Sequence, residues 1–412
     1  MQRTSRNLSS SRATKSSTWV SCSKTKKNEK KAKKAVLDTG ARLRTLRMLM
    51  GLTQKELEGI AGVTQSMISG IERGDKTASE EVLQAVAGAT GTPYSFFLVD
   101  PDDLPTDTLH FRKKASASAK EVDRVKATAR EAYRVAAQLI AETRMRRLPL
   151  PRAEGEIDES SIETLAAETR DALGVARDGI LKHVIRTCER AGIPVVPLVL
   201  VDGAGEQEDV AIGHSGVSCW RGADDPQLIA YFGTDAGDRQ RFTVAHELGH
   251  LVLHPARRTI STKQAEAEAH RFAGAFLMPD EQARETLSGN FTLRNLAVLK
   301  SNWGISMQAL IERAFGLSLI DSTRRSSLYR QMATNQWRSR EPVTVYPEQP
   351  ALLRMLMARR FGASPSLRHA AEDLGLHPVL MRSLVPETSP GPGVSGGEVV
   401  SMRDRRRGLQ RV

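Results

Sequence analysis

Apolar residues between about residues 39 and 98 recur at the three- and four-residue spacing of short amphipathic helices. The pattern predicts five such helices. Their apolar faces are expected to meet in one small core. In the first three helices, the expected inward-facing positions are Leu43, Leu46, Leu49, Leu57, Ile60, Ala61, Met67, Ile68 and Ile71.

Capping signals mark the ends of the second and third of these helices. Thr53 is a candidate N-cap, and Glu56 three residues later completes a capping box. Gly62 supplies the turn, and Thr64 caps the next helix. Two short helices joined by a turn of about three or four residues that contains Gly are typical of a helix-turn-helix. We therefore expect this motif at about residues 53–72.

Polar side chains gather at the start of the second helix of this motif, where a recognition helix meets base edges in double-stranded DNA. Gln can pair with adenine, and Ser with a base or a phosphate, although each is also an ordinary exposed residue. The net charge between residues 39 and 76 is only +2. Tight binding would thus favour two copies, and a homodimer is one option. The candidate DNA contacts are Gln54, Thr64, Gln65, Ser66, Ser69 and Arg73.

The periodicity changes after Pro101, which begins a Pro- and Asp-rich break. Residues 117–147 then predict a long helix, with an apolar stripe that either connects two domains or forms a dimer contact. The basic segment 110–114 before it is open to two roles, contact with DNA or contact with the rest of the chain.

Residues 161–232 contain both helical and strand-like patterns of apolar residues. Residues 161–173 and 178–191 predict helices, whereas 193–201, 210–212 and 227–232 are β-branched or alternating runs typical of strands. These strands predict a small sheet packed against the following helix. An edge strand beside an active site there could hold a peptide substrate by strand addition.

That following helix carries candidate chemistry. His246 and His250 are four residues apart, so both imidazoles lie on one helix face and can bind a single metal ion. Glu247 lies beside them, where a carboxylate can act as a general base. Three fixed positions make a short motif, and the alternative is an ordinary helix with two histidines. The apolar flank of the motif favours the metal site.

A catalytic zinc site needs a third protein ligand. Ala256 stands where a third His would lie six residues after His250, so a downstream carboxylate is expected. Residues 265–279 predict a helix with an apolar stripe. At about 100° per residue, Glu266 lies nearer this stripe than Glu268 does. Glu266 is therefore the favoured ligand and Glu268 the alternative.

Three neighbours of the motif have candidate supporting roles. Gly249 is small enough for another segment to pass close to the metal side of the helix. His254 either supports the site or interacts with the dipole at the helix end, and the second role is favoured. His270 could orient Glu266.

These residues resemble the ImmA/IrrE family of metallopeptidases. The resemblance rests on residues 239–254, 266–273 and 276–279 and extends over roughly residues 159–318. It implies a cytoplasmic zinc protease that cuts a partner repressor and so switches transcription. It also implies His246, His250 and Glu266 as ligands and Glu247 as base. His270 departs from the family, which usually has Asn or Asp there.

The N-terminal helices resemble the Cro/CI-type (XRE) helix-turn-helix, whose characteristic ending is here Ile71–Gly74. The expected fold is mainly α with a small β-sheet. It consists of a five-helix DNA-binding domain, a connecting helix, a zincin-like α+β metallopeptidase domain and a C-terminal helical region, which is either a support for the peptidase or a degenerate second helix-turn-helix. The expected boundaries are a basic tail at 1–37, then 38–100, a linker with the long helix at 101–158, then 159–318, 319–385 and a tail at 386–412.

The amino-acid composition shows where the net charge is concentrated and which cellular compartment is expected. Eleven Lys or Arg and one Glu in residues 1–34 contribute +10 of the net charge of +12, so the remaining 378 residues are nearly neutral. Cys22, Cys188 and Cys219 are widely spaced and form no CxxC pair, as expected for a reducing cytoplasm. No run of 18 apolar residues is present, so no membrane contact is expected.

These patterns together predict a DNA-binding transcriptional regulator with a zinc endopeptidase, one zinc or other divalent ion, and a protein substrate such as a repressor or an antitoxin. The alternatives are a non-proteolytic transcription factor whose metal domain senses or scaffolds, and an antitoxin-like binding module.

Overall fold

The N-terminal helices follow the predicted order. They are α1 (Thr39–Leu49), α2 (Gln54–Ala61), α3 (Gln65–Glu72), α4 (Glu80–Thr90) and a 3-10 helix (Tyr94–Leu98). The structure is a computed structural model. It describes residues 38–101, 104, 109–111, 118–208, 216–222, 225–233, 236–257, 259–289, 291–338 and 340–386. The basic tail at 1–37, the tail from 387, the predicted strand at 210–212 and residues 112–114 lie outside the described residues.

The predicted capping signals of the helix-turn-helix are present. Thr53 Oγ1 accepts a hydrogen bond from Glu56 N at 3.1 Å, and Glu56 Oε2 accepts one from Thr53 N at 2.6 Å. Gly62 ends α2 in the left-handed region, with φ 66°. Thr64 Oγ1 accepts from Met67 N at 3.3 Å and begins α3. Local sequence therefore determines where α2 starts and stops and where α3 starts.

The core of the helical domain follows the predicted pattern with one correction. Leu57 is fully buried, but Ile60 is 43% exposed. Helix α2 has only two turns and packs against α3 and α4 along the side that carries Leu57 and Ala61. Around the helix, Ile60 lies about 60° from Leu57 in the direction away from Ala61. Its side chain therefore reaches solvent.

The rest of the chain alternates a long helix, a small sheet and further helices. The described elements are α5 (Ala119–Thr143), α6 (Glu159–Ala172), α7 (Val184–Arg190), β2 (Val195–Leu198), β3 (Leu200–Val201), β4 (Gln207–Glu208), β5 (Gly216–Trp220), β6 (Gln227–Phe232), α8 (Gly237–Leu253), α9 (Thr262–Leu277), α10 (Asp280–Leu287), α11 (Leu293–Trp303), α12 (Met307–Gly316), α13 (Ser322–Thr334), α14 (Leu352–Phe361), α15 (Leu367–Asp373) and α16 (Pro378–Leu384), with β1 (Leu109–Phe111) before α5. The fold is mainly helical, as predicted.

Within the described residues, the main sheet has four strands in the order β1-β5-β6-β2. Strand β5 is antiparallel to both of its neighbours, and β6 is parallel to β2. Strands β3 and β4 form a separate antiparallel pair. The sequence predicts β2 and β6 but not β1 or β5, because β5 is short and contains Gly216 and Ser218, which are poor strand formers.

The two faces of this sheet pack against different helices. Val217 and Cys219 on β5, with Leu228 and Ala230 on β6, join a core with α1–α5 and the C-terminal helices. Side chains alternate along a strand, so the intervening positions join the core of α8 and α9 on the other face. The sheet therefore separates the helix-turn-helix side of the molecule from the side that carries the His246–His250 pair.

The long helix α5 and the C-terminal helices complete the first side. The predicted apolar stripe of α5 is buried within the chain. Helix α14 packs on α5, α15 on the 3-10 helix, and α16 on β2. The C-terminal helices thus contact the helix-turn-helix side and the sheet together.

One buried ion-pair cluster joins these elements. Glu131 on α5 accepts hydrogen bonds from Arg42 on α1 and from Arg134. Arg42 also donates to Phe96 O at 2.8 Å, and Arg134 donates to Leu374 O at 2.9 Å. Burial alone would raise the pKa of Glu131, but the two guanidinium groups lower it to about 2.

No described helix combines the length and the apolar character that a membrane crossing requires.

Candidate metal centre

Helices α8 and α9 pack closely beside the sheet. A Cβ atom on Gly249 would lie 3.0 Å from Phe272 Cδ1 and 3.3 Å from the backbone of Ala269. Both contacts are tighter than ordinary van der Waals distance, so a larger residue would push the helices apart. The predicted role of Gly249, to let another segment approach, is therefore confirmed, and that segment is α9.

This approach brings three donor groups together. Nε2 of His246 lies 3.2 Å from Nε2 of His250. The Glu266 carboxylate reaches both rings, with Oε2 3.4 Å from His246 Nε2 and Oε1 3.5 Å from His250 Nε2. Among the residues that the structure describes, this is the one group of three or more His, Cys, Asp or Glu side chains with the spacing of a metal site.

The triangle of donor atoms has the size that zinc requires. Zinc lies about 2.0–2.2 Å from nitrogen and oxygen ligands in tetrahedral geometry, which places neighbouring ligand atoms about 3.3–3.5 Å apart. The two Nε2 atoms are 3.2 Å apart, and each lies close to this edge length from one oxygen of Glu266, His246 at 3.4 Å from Oε2 and His250 at 3.5 Å from Oε1. Two imidazoles and one carboxylate also leave a fourth position open, as in catalytic zinc sites. These residues therefore fit a zinc ion.

Glu247 lies next to the triangle, between α8 and β5. It is buried, and its Oε2 has no hydrogen-bond partner among the described residues. Burial raises the pKa of Glu247 well above its usual value, and Ser218 on β5 offsets this only in part. A Cβ on Gly216 would lie 2.7 Å from Glu247 Oε1, so the strand backbone runs directly against the carboxylate.

The two glutamates of α9 have different surroundings. Burial raises the pKa of Glu266, but hydrogen bonds and charge from His246 and His250 outweigh it, so the pKa lies well below its usual value. Glu268 instead accepts from Arg257 at 2.6 and 3.1 Å and from Gln264 at 2.9 Å. Of these two glutamates, Glu266 reaches His246 and His250, and its role as a metal ligand stays a prediction.

A second polar chain supports His250 from behind. His250 Nδ1 lies 2.8 Å from His254 Nδ1, and His254 Nε2 lies 3.3 Å from Glu268 Oε2. A histidine that binds metal through Nε2 carries its proton on Nδ1, so His250 would donate to His254 and His254 to Glu268. The sequence favoured a helix-dipole role for His254. Support of the site is the alternative role predicted for His254, and its contact with Glu268 is not predicted because it depends on how α8 and α9 pack.

His270 lies near the site but on another side. Its ring is 4.8 Å from the Phe242 ring and 6.5 Å from the His246 ring, centroid to centroid. The prediction that His270 orients Glu266 stays a prediction.

The candidate DNA contacts lie at the first residue of α2 and on or directly beside α3. Thr64, Gln65 and Ser66 are exposed at the start of α3, whereas Ser69 and Gln54 are half-buried. Gln54 Nε2 donates to Glu72 Oε2 at 2.9 Å. Arg73 is exposed and donates to Asp75 Oδ2 at 2.7 Å and to Ser69. The first three residues thus present their polar groups to solvent, and the other three also hold one another or Glu72.

Comparison with known families separates the two sides of the molecule. Residues 43–97 match the family model described as "Helix-turn-helix". Residues 188–315 match the model of a peptidase family, M78, described as "IrrE N-terminal-like domain". The chain joins an XRE-type helix-turn-helix domain to an ImmA/IrrE-type peptidase domain. No curated protein matches the chain.

The IrrE N-terminal-like match includes the whole candidate metal centre. It spans α8 and α9 with all three donor residues, and it spans β5 and β6 of the sheet. The matched family is one of metallopeptidases, and the His and Glu cluster fits a metal ion. The helix-turn-helix match includes α2 and α3, so DNA binding is the function expected of the first domain.

Proposed function

We propose that the chain is a cytoplasmic transcriptional regulator that binds DNA and carries a zinc-dependent endopeptidase, which cleaves one partner protein such as a repressor or an antitoxin. The observation that carries this proposal is the donor triangle of His246, His250 and Glu266 with the buried Glu247 beside it. The two family matches support it by joining DNA binding and a peptidase domain in one chain.

His246, His250 and Glu266 are the proposed zinc ligands. A bound zinc ion would lower the pKa of water and polarise a peptide carbonyl. The contact of His254 with His250, and of Glu268 with His254, would fix the ring of His250 and keep its Nε2 turned toward the site. Arg257 holds Glu268 in place through two hydrogen bonds.

Glu247 is the proposed general base. Its carboxylate lies within the site and Oε2 has no partner among the described residues, so it can accept a proton from the attacking water. The same carboxyl group would then donate that proton to the leaving amine. The strand backbone at Gly216 holds the carboxylate in position from the other side.

The proposed DNA contacts are Thr64, Gln65 and Ser66 at the exposed start of α3, with Gln54, Ser69 and Arg73 around them. We expect Gln65→Ala to weaken binding to a preferred duplex, selected from a random DNA library, by about tenfold, because one base contact is lost. Binding to unrelated DNA should change little. Gln84→Ala, an exposed Gln on α4, is the matched control. Equal loss in both variants would contradict the assignment of α3.

The proteolytic part is tested in host cells by counting new protein N-termini. One strain expresses the native chain, and the other expresses Glu247→Gln at the same level. We expect one or a few new termini with the native chain alone, and these would also identify the partner protein. Identical termini in both strains under several stresses would contradict the endopeptidase and favour a regulator that cuts nothing.

A further inference from the structure

The outer edge of β5 is occupied by a strand from another part of the chain. Strand β1 pairs antiparallel with β5, in the register Leu109 with Cys219, His110 with Ser218 and Phe111 with Val217. The opposite edge of β5 pairs with β6. Both edges of β5 are therefore in use.

Strand β5 is also the strand that lies against the proposed catalytic carboxylate. A Cβ atom on Gly216 would lie 2.7 Å from Glu247 Oε1, so the backbone of β5 runs against this carboxylate. Ser218, two residues further along β5, is opposite His110 on β1. The backbone of β1 is thus adjacent to the strand that contacts Glu247.

An extended peptide binds a sheet most simply by adding to an open edge, where backbone hydrogen bonds hold it. Beside Glu247 the edge that serves this purpose is the outer edge of β5, because β6 covers the other. A partner protein that binds there must replace β1. In the part of the chain that the structure describes, β1 pairs with β5 over three residues, and a peptide that pairs over a longer stretch could displace it.

We propose that β1 is an intramolecular occupant of the substrate edge, and that it competes with the partner protein for β5. This inference rests on the proposed peptidase function, since it names the edge on which that substrate is held. A tethered strand has an effective concentration of about millimolar. The apparent affinity of a free peptide for β5 is therefore reduced in proportion to the fraction of molecules in which the edge is open.

The strand also has a meaningful position in the chain. It lies between the 3-10 helix of the DNA-binding side and α5, which packs on the opposite face of the sheet from the metal centre. The occupant of the substrate edge is therefore covalently continuous with the helix-turn-helix domain. Access to the peptidase and the state of that domain share one segment of backbone.

The test compares two triple variants of β1. Leu109→Pro/His110→Pro/Phe111→Pro removes every backbone N–H that β1 can donate. Leu109→Val/His110→Thr/Phe111→Val changes the same three side chains but keeps the N–H groups and a high strand propensity. Both are made in the full chain with Glu247→Gln, so that binding is measured without cleavage. Hydrogen exchange of the β5 segment checks that only the proline variant loses protection there.

The probe is a fluorescent synthetic peptide with the sequence of residues 104–116. We expect it to bind the proline variant at least tenfold more tightly than the chain with the native linker, and the Val-Thr-Val variant to remain near the native value. Equal affinity for all three proteins, or unchanged exchange of β5 in the proline variant, would overturn the inference.

A second arm separates this inference from the proposed function. The native β1 and its two triple variants are also made in the chain with Glu247 intact. The zinc-loaded proteins are then tested on a peptide library made from a cell lysate. Faster cleavage by the proline variant, by at least tenfold, supports both. Binding that differs while no protein cuts the library supports the edge assignment and contradicts the peptidase. Equal cleavage and equal binding contradict the edge assignment alone. Zinc-dependent cutting of the native chain within 109–111 would make β1 a substrate and overturn its role as competitor.

Discussion

The two faces of the central sheet both carry buried glutamates, but in opposite states. On the helix-turn-helix side, the carboxylate of Glu131 is paired with Arg42 and Arg134, and each arginine also donates to a backbone carbonyl. On the metal side, Glu247 has a buried oxygen that none of the described residues contacts by a hydrogen bond, and Glu266 points at two histidines. A paired buried charge joins elements together, whereas convergent or unpaired groups indicate a site that binds or reacts.

The largest expected effect is on the metal side. Glu247→Gln should reduce hydrolysis of a peptide library by about 10²–10⁴-fold, because the amide cannot take up the proton. The free energy of unfolding should fall little, since Glu247 Oε2 makes no hydrogen bond with any residue that the structure describes. Cleavage assays and urea unfolding measure the two quantities. A Glu247→Gln chain that unfolds at a much lower urea concentration but still cleaves the peptide library would contradict this role. Glu247 would then be a structural group like Glu131.

The same substitution on the other face should have the opposite result. Glu131→Gln removes the charge that Arg42 and Arg134 share, and breaking a buried pair costs about 3–5 kcal/mol. Urea unfolding should show this loss, while zinc binding of the folded chain stays unchanged. Glu142→Gln is the control, since Glu142 lies on the same helix in a partly exposed pair with Arg360, where about 0–1 kcal/mol is expected. Equal losses in both variants would contradict a special role for Glu131.

At low pH the native chain and Glu131→Gln should have the same free energy of unfolding. The pKa of Glu131 is about 2 in the fold, below the ordinary value of 4.5. A depressed carboxyl pKa stabilises the fold above the unfolded-state pKa, and this stabilisation, about 3 kcal/mol, is lost as the pH falls toward the folded-state pKa. The gap in unfolding free energy should therefore be complete at pH 6 and narrow steadily between about pH 4.5 and 2. A gap that does not change with pH would show that the carboxylate is not the source.

The smallest effect is expected behind the metal ligands. Glu268→Gln keeps an oxygen for His254 but removes the negative charge that supports it, and such changes weaken metal affinity by about 10–100-fold. Competition with a chelating dye measures the zinc dissociation constant. Glu285→Gln, an exposed glutamate on the neighbouring helix α10, is the control. If both variants bind zinc like the native chain, the His254–Glu268 contacts serve folding alone.

The sequence predicted the features that depend on residues close together in the chain. Thr53, Gly62 and Thr64 set the helix-turn-helix through local caps. The spacing of His246 and His250 on one helix, and the position of Glu266 on the next, follow from helical periodicity. Each of these needs only the geometry of a single element.

The features that the sequence left open depend on packing between distant segments. Gly216 and Ser218 lie beside Glu247 only because β5 crosses α8, and β5 has no strong strand pattern of its own. His254 meets Glu268 only when α8 and α9 are packed. Strand β1 has three residues, and no period in so short a segment predicts its pairing with β5. Ile60 is exposed because α2 buries only one side of its surface.

Native mass spectrometry of the purified, zinc-loaded chain would test the proposed metal centre, because it counts the ions bound per molecule. We expect one zinc ion on the native chain and on Glu247→Gln, and none on His246→Ala/His250→Ala. A native chain that binds no zinc, or a double variant that keeps the ion, would contradict the assignment of the metal centre.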